Sequence, residues 1–252
     1  MKLFFVSTAI SLLMLPAALV AQTVTLSQPV GADTFVSSGQ PDSNFGTQGA
    51  MEIAVPTAAQ PRTELALMRF DTAPLLASFD ATYGQGNWTV TGVSLSLFSN
   101  FATAGRQPNN ASFNKIAAGS FEFDLLGNNA WSETGITWNT LPGILPGSGN
   151  SNTLTPLGTF FWLATGSASS TWTLNADPLL LNAINNGNQV TLLGQPTTGS
   201  TVGYLFNTFP SSPGYLNVTV QAVPEPSTLA LIAGLSCLLG CRQFSRKLNL
   251  AR

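Results

Sequence analysis

Trp88-Thr89-Val90-Thr91-Gly92-Val93-Ser94-Leu95-Ser96-Leu97-Phe98 is the most regular stretch of the chain. Val93, Leu95 and Leu97 point one way and the serines between them point the other. That period of two belongs to a strand with one buried and one wet face. The same short pattern returns at residues 30–36, 50–55, 63–70, 121–126, 136–138, 158–163, 171–174, 190–193, 203–208 and 215–220. Clusters of Asn, Gly, Pro and Ser separate these runs, for example at 39–49, 105–110 and 142–152. One helix is expected: Asp177 caps it, Pro178 suits its first turn, and Leu179 to Ile184 run on to Asn185-Asn186-Gly187. Many short strands at this spacing predict an all-β, antiparallel sandwich with one short helix. No repeat of 20–50 residues interrupts it, so one domain is expected.

Composition narrows the chemistry. The chain has 252 residues with 9 bases, 11 acids, no histidine and 2 cysteines. Without histidine there is no Ser-His-Asp or Cys-His nucleophile system and no histidine-ligated zinc. A net charge of −2 supplies no basic footprint for nucleic acid.

The two ends read differently from the middle. Met1-Lys2, an apolar run over 3–20 and small residues near Ala21 make a secretory signal peptide cleaved after Ala21. At the other end Val223-Pro224-Glu225-Pro226 leads into an apolar run of 13 residues, 229–241, followed by Arg242, Arg246, Lys247 and Arg252. Such a helix spans only about 20 Å of a ~30 Å hydrocarbon layer, which makes it a minimal or transient membrane span. The basic residues favour a cytoplasmic tail. The order of these parts resembles a PEP-CTERM sorting signal. That resemblance implies recognition of Val223, Pro224, Glu225 and Pro226 by an exosortase, a Gram-negative bacterial host, and an inner-membrane-anchored intermediate. It also implies final residence at the cell surface or in the extracellular matrix. The expected organisation is therefore signal peptide 1–21, exported domain 22–222 and sorting signal 223–252.

The exported domain carries four bases (Arg62, Arg69, Arg106, Lys115) against ten acids, a net charge of −6. Both cysteines, Cys237 and Cys241, lie in the tail. Its stability has to come from core and ladder, without disulfides.

Several segments of this domain resemble the DNRLRE family of extracellular modules. The likeness rests on Ala32-Asp33-Thr34-Phe35-Val36, Asn44-Phe45-Gly46, the strand ending in Arg69-Phe70-Asp71, and above all Trp131-Ser132-Glu133-Thr134-Gly135-Ile136-Thr137-Trp138-Asn139-Thr140-Leu141-Pro142. The strand at 93–97 departs from the family in lacking its arginine. The resemblance implies a jelly-roll sandwich of the carbohydrate-binding kind, found in secreted proteins, some of which bind acidic polysaccharides. Extracellular polysaccharide is the expected partner.

Trp131, Glu133, Trp138 and Asn139 are then candidates either for glycan contact or for a structural motif. Aromatic faces stack on sugar rings, but they also fill cores. Alternation predicts that Ile136 and Trp138 face the core together. Scattered carboxylates admit a structural calcium, with Asp33 the foremost contributor, although no Asp-x-Asp-x-Asp loop occurs; no other cofactor is expected. A glycosidase needs paired carboxylates and a lyase a Tyr or Lys base, and no spacing brings such groups together. The expected function is a non-catalytic polysaccharide-contacting protein of the surface or matrix. A matrix protein without a discrete site and a polysaccharide-degrading enzyme are the alternatives. Mass spectrometry of the surface-located protein is expected to show loss of everything after about Pro226, and an intact tail in mature material would contradict the sorting reading.

Overall fold

The computed structural model describes residues 22–99, 116–147, 149–164, 169–208 and 213–223. The expected signal peptide and the apolar tail lie outside the described residues. Two antiparallel sheets face one another. The smaller is built from β1 (Thr23–Pro29), β5 (Trp88–Leu97), β8 (Ser170–Leu174) and β11 (Tyr215–Ala222), in the order β1-β11-β5-β8. The larger runs β10 (Gly203–Asn207), β3 (Ala50–Ala54), β4 (Glu64–Asp71), β9 (Gln189–Pro196), β6 (Gly119–Leu126), β7 (Leu154–Trp162). In addition, β2 (Ala32–Ser37) pairs with β4 from Ala32↔Arg69 to Ser37↔Glu64.

The alternation seen in sequence decides what each sheet buries. In β5 and β11, Val93, Leu95, Leu97, Leu216, Val218 and Val220 enter the core between the sheets, and their neighbours turn outward. The larger sheet is covered on both faces. Ala66, Met68 and Phe70 of β4 enter the core, whereas Leu65 and Leu67 join a second buried cluster on the outer side. Trp131, Ile136, Leu141 and Ile144, all from one non-strand segment, close that second cluster over Ala32, Val36, Leu126 and Leu193. Each such buried side chain contributes about 1.5–3 kcal/mol relative to exposure.

Three expectations need correction. Residues 136–138 form no strand. The Thr137 N–H donates to Thr140 Oγ1 at 2.8 Å and the Leu141 N–H to the Thr137 carbonyl at 2.9 Å. These local bonds bend the chain into a turn and the 3-10 helix Leu141–Gly143, so hydroxyl chemistry prevails over alternation. A strand that the reading passed over, β1, pairs with β11 from Thr23↔Gln221 to Pro29↔Tyr215. Two helices stand where one was expected. α2 (Pro178–Asn185) has the foreseen start, with the Leu179 N–H donating to Asp177 Oδ1 at 2.8 Å. α1 (Ala73–Tyr83) follows β4 directly; Pro74 occupies its first turn, the Ala73 N–H donates to Asp71 Oδ1, and Leu75 and Phe79 are buried one turn apart.

Carboxylates enter the interior at Asp33, at Glu52 with Glu64, and at Asp124. Arg62 Nε lies 2.8 Å from Glu64 Oε1, and the Glu64 carboxylate is fully buried. Burial pushes the Glu64 carboxyl above the usual range, while a hydrogen bond with the equally buried Glu52 and the Arg62 charge act against that rise. On the outer face, Gln195 Nε2 donates to Glu122 Oε1 at 2.9 Å and to Asp124 Oδ2 at 2.8 Å. Burial, and then the neighbouring Glu122 charge, raise the Asp124 carboxyl to about 6. A raised carboxylate destabilises the fold once it ionises: its stabilising contribution is complete below the unfolded value near about 3.9 and disappears as the pH climbs through about 6. Asp124→Asn keeps the acceptor for Gln195 without the charge. Its melting temperature is expected to match the parent at acid pH and to exceed it progressively up to neutral pH. Parallel melting curves across that range would contradict the assignment.

Candidate functional site

The motif residues come together as a clasp. Arg69 projects from β4 to the outer face, where Nη1 donates to the carbonyls of Asn129 at 3.0 Å and Trp131 at 2.7 Å. Its guanidinium carbon sits 4.8 Å from the centre of the Trp131 ring, within cation–π range. The Trp131 Nε1–H donates to Thr191 Oγ1 at 3.1 Å, and that hydroxyl donates to Asn129 Oδ1 at 2.6 Å. From the opposite side Asn44 Nδ2 donates to the carbonyls of Glu133 at 2.8 Å and Ile136 at 2.7 Å. Gly46 is required there, because a Cβ would collide with the Glu133 carbonyl oxygen. Asn139 Nδ2 donates to Asp42 Oδ1 at 2.7 Å, and the Asn139 N–H donates to the Pro41 carbonyl at 3.0 Å.

The four candidate residues thus fall in one place with unlike roles. Trp131 is buried at 7% exposure. Trp138 is half-buried and packs on the rim of the second cluster, so only Ile136 of the expected core-facing pair is fully enclosed. Glu133 contributes its main-chain carbonyl to the clasp, and Asn139 bridges to the 41–46 loop. Asp33 is buried in mid-strand opposite Met68. Among the described residues, no group of three or more Asp, Glu, His or Cys converges as a metal site would require.

A different surface presents itself to solvent. The outward side chains of the four-stranded sheet are Thr25 and Ser27 of β1, Asn217 and Thr219 of β11, Ser94 and Ser96 of β5, and Thr171 and Thr173 of β8. Ser27 Oγ donates to Asn217 Oδ1 at 2.6 Å, Asn217 Nδ2 donates to Ser96 Oγ at 2.9 Å, and Ser96 and Thr171 share a hydroxyl hydrogen bond of 2.7 Å. This row crosses all four strands. A parallel contact joins Thr25 to Thr219 at 2.7 Å. At one end of the face stand Tyr215 and Phe98, both half-exposed, in an edge-on pair with ring centres 6.2 Å apart. Sequence reading missed this platform because its rows join residues almost 200 positions apart, although the alternation of each strand is visible locally.

Two depressions flank α2. One, of about 470 Å³, is lined by amide side chains including Asn129, Asn182 and Gln189. The other, of about 370 Å³, holds Trp88, whose Nε1–H donates to Asp80 Oδ1 at 2.8 Å.

A sandwich that turns hydroxyl, amide and aromatic side chains outward from one sheet has the make-up of a binding module. Comparison with known families agrees: the model of carbohydrate-binding module family 96 matches residues 24–164. More than half of the chain is covered, and the chain belongs to this family. Among curated proteins, none matches the chain. The matched span starts in β1, contains the clasp residues apart from Thr191 of β9, and ends just past β7. Membership points to polysaccharide as the ligand class and to a binding rather than a catalytic domain.

The clasp predicts unequal costs for the two motif tryptophans. Trp131→Ala is expected to lose about 3–5 kcal/mol of stability, as a large-to-small core change does. Trp138→Ala, which uncovers only a rim, is expected to lose about 1–2 kcal/mol. Urea unfolding of the two variants checks the order, and equal losses would contradict it.

Proposed function

We propose that the exported part of this chain is a non-catalytic module that holds extracellular polysaccharide on the outer face of its four-stranded sheet. Family membership over residues 24–164 carries the ligand class. The Tyr215–Phe98 pair beside the hydroxyl row supports the choice of face, since sugar rings stack on aromatic surfaces and their hydroxyls need hydrogen-bond partners. The strand order supports a jelly-roll reading of the sandwich, in keeping with the DNRLRE likeness.

In this reading the first 21 residues export the chain, and the PEP-CTERM-like tail from Val223 holds it at the inner membrane. An exosortase then acts at Val223-Pro224-Glu225-Pro226 and leaves the module at the surface or in the matrix of a Gram-negative bacterium. Glu52 and Glu64, which share a hydrogen bond, are enclosed in the protein and out of reach of a polymer.

The test is affinity electrophoresis of the protein against a polysaccharide panel, with and without a chelator to score any structural calcium. Tyr215→Ala is expected to weaken binding about tenfold, equivalent to about 1.4 kcal/mol, with an unchanged circular dichroism spectrum. Retention of a polysaccharide that is indifferent to Tyr215→Ala would move the site elsewhere. Failure to retain any polysaccharide would favour a matrix protein without a discrete site.

A further inference from the structure

We infer that the outer edge of β7 is a self-association site, where a second copy of this chain adds its own β7 antiparallel about a two-fold axis; this goes beyond polysaccharide binding and does not rest on it.

The Thr197 N–H donates to the Ser120 carbonyl at 3.2 Å, so Ser120 turns its main-chain groups towards β9. Phe161 is the residue opposite Ser120 on β7, and main-chain direction alternates along a ladder. Phe161, and Thr159 two residues earlier, therefore direct their N–H and carbonyl groups away from β6, to the outer edge of the sheet. Among the described residues no strand pairs with that edge. Its first half is protected: Pro156 interrupts it, the register shifts beside Gly158, and the Asn175 N–H donates to the Leu157 carbonyl at 2.7 Å. The second half has none of these devices. It also lacks charge, since residues 154–164 contain no Asp, Glu, Lys or Arg. An edge left in that state templates another strand.

The side chains select the occupant. Thr159, Phe161 and Leu163 alternate on the solvent face, with Phe161 58% and Leu163 66% exposed. The other edges differ: β10 is closed by bridges from Ala117 and Ser99, while β1 and β8 turn Thr and Ser outward. The open groups of β7 are spaced symmetrically about Phe161, which makes the segment complementary to itself. In the two-fold pair Phe161 faces the partner's Phe161, and Thr159 faces the partner's Leu163. The exposed apolar side chains of both copies are then covered, and no like charges meet across the junction. Such a contact is closed, because each copy uses its one open edge on the other, and growth stops at two. Each particle then presents two outer faces of the four-stranded sheet.

A strand pair this short buries less than the ~1,200–2,000 Å² of a stable interface, so a weak dimer is expected. Sedimentation equilibrium of the full chain in density-matched detergent is expected to show one chain per particle at about 1 µM and mainly two at about 500 µM. Phe161→Pro removes an outward N–H and leaves the bonds to β6 intact, and Thr159→Lys places a charge in the contact. Each is expected to raise the dimer dissociation constant at least about tenfold with an unchanged circular dichroism spectrum. Leu179→Lys, at an exposed leucine of α2, is expected to leave it unchanged. In a Cys237→Ser, Cys241→Ser background, a short bis-maleimide is expected to join two copies of Phe161→Cys and not two copies of Leu179→Cys. The cross-link keeps the test decisive should an edge variant misfold. A dimer that survives both edge variants, or that Leu179→Lys weakens equally, overturns the inference, and so does a chain that stays monomeric throughout. None of these readouts involves polysaccharide, so self-association and the proposed binding function fail separately.

Discussion

One guanidinium holds the outer layer of this protein in place. Arg69 stands on a central strand of the larger sheet, and its Nη1 reaches two carbonyls of a segment 60 residues further on while its guanidinium carbon lies over the Trp131 ring. That segment has no strand or α-helix of its own, and such backbone seldom lies over a core because its polar groups need partners. Here Arg69 and Asn44 donate to four of its carbonyls and the Pro41 carbonyl accepts the Asn139 N–H, while Thr191 and Asp42 hold its Trp131 and Asn139 side chains. With the carbonyls satisfied, Trp131, Ile136, Leu141 and Ile144 can be lowered onto Leu65, Leu67 and Leu193. A sheet that would otherwise expose leucines to water gains a second buried face. With no cysteine between residues 22 and 222, this extra layer takes the part that a disulfide plays in some small domains.

The same geometry explains what could be read from sequence and what could not. Strands β5 and β11 are legible because each has one buried and one wet face, so the period of two survives intact. The regular Thr-Val-Thr-Leu-Ser of β1 carries the same signal, but its partner β11 lies at the far end of the domain. Helix α1 was passed over because only Thr72 separates it from β4 and its apolar residues do not keep to one face: Leu75 and Phe79 are buried, but Leu76 beside them is half-exposed. Residues 131–142 stood out as a motif, yet their role depends on Asn44 and Arg69, whose distance in sequence no local pattern encodes. Trp138 shows the limit most clearly. Alternation sent it inward with Ile136, and the Thr137–Thr140 bonds turned the chain before that alternation could continue.

Sheet order also bears on where the module ends. The family match stops at residue 164, but β9 lies between β4 and β6, and β11 lies between β1 and β5. Removing everything after 164 would take the central partner from each sheet and expose Leu67, Leu95 and Leu125 along open edges. Unpaired interior strands of this kind template association with other chains. The physical unit therefore needs its C-terminal third, which also supplies Thr191 to the clasp.

Aromatic side chains divide the labour between fold and surface. Trp162 and Trp172 close around Tyr204, with ring centres 4.5 and 5.5 Å away, and Phe121 and Phe206 complete the group. Burial there pushes the Tyr204 phenol well above its ordinary range, so it stays neutral inside the apolar cluster. Trp131 belongs to the clasp, and the Trp88 indole N–H is held by Asp80. The tryptophans, the obvious sugar platforms in composition, are thus engaged in packing or in local hydrogen bonds. What remains beside the hydroxyl row is a tyrosine and a phenylalanine at the end of a sheet without a single charge.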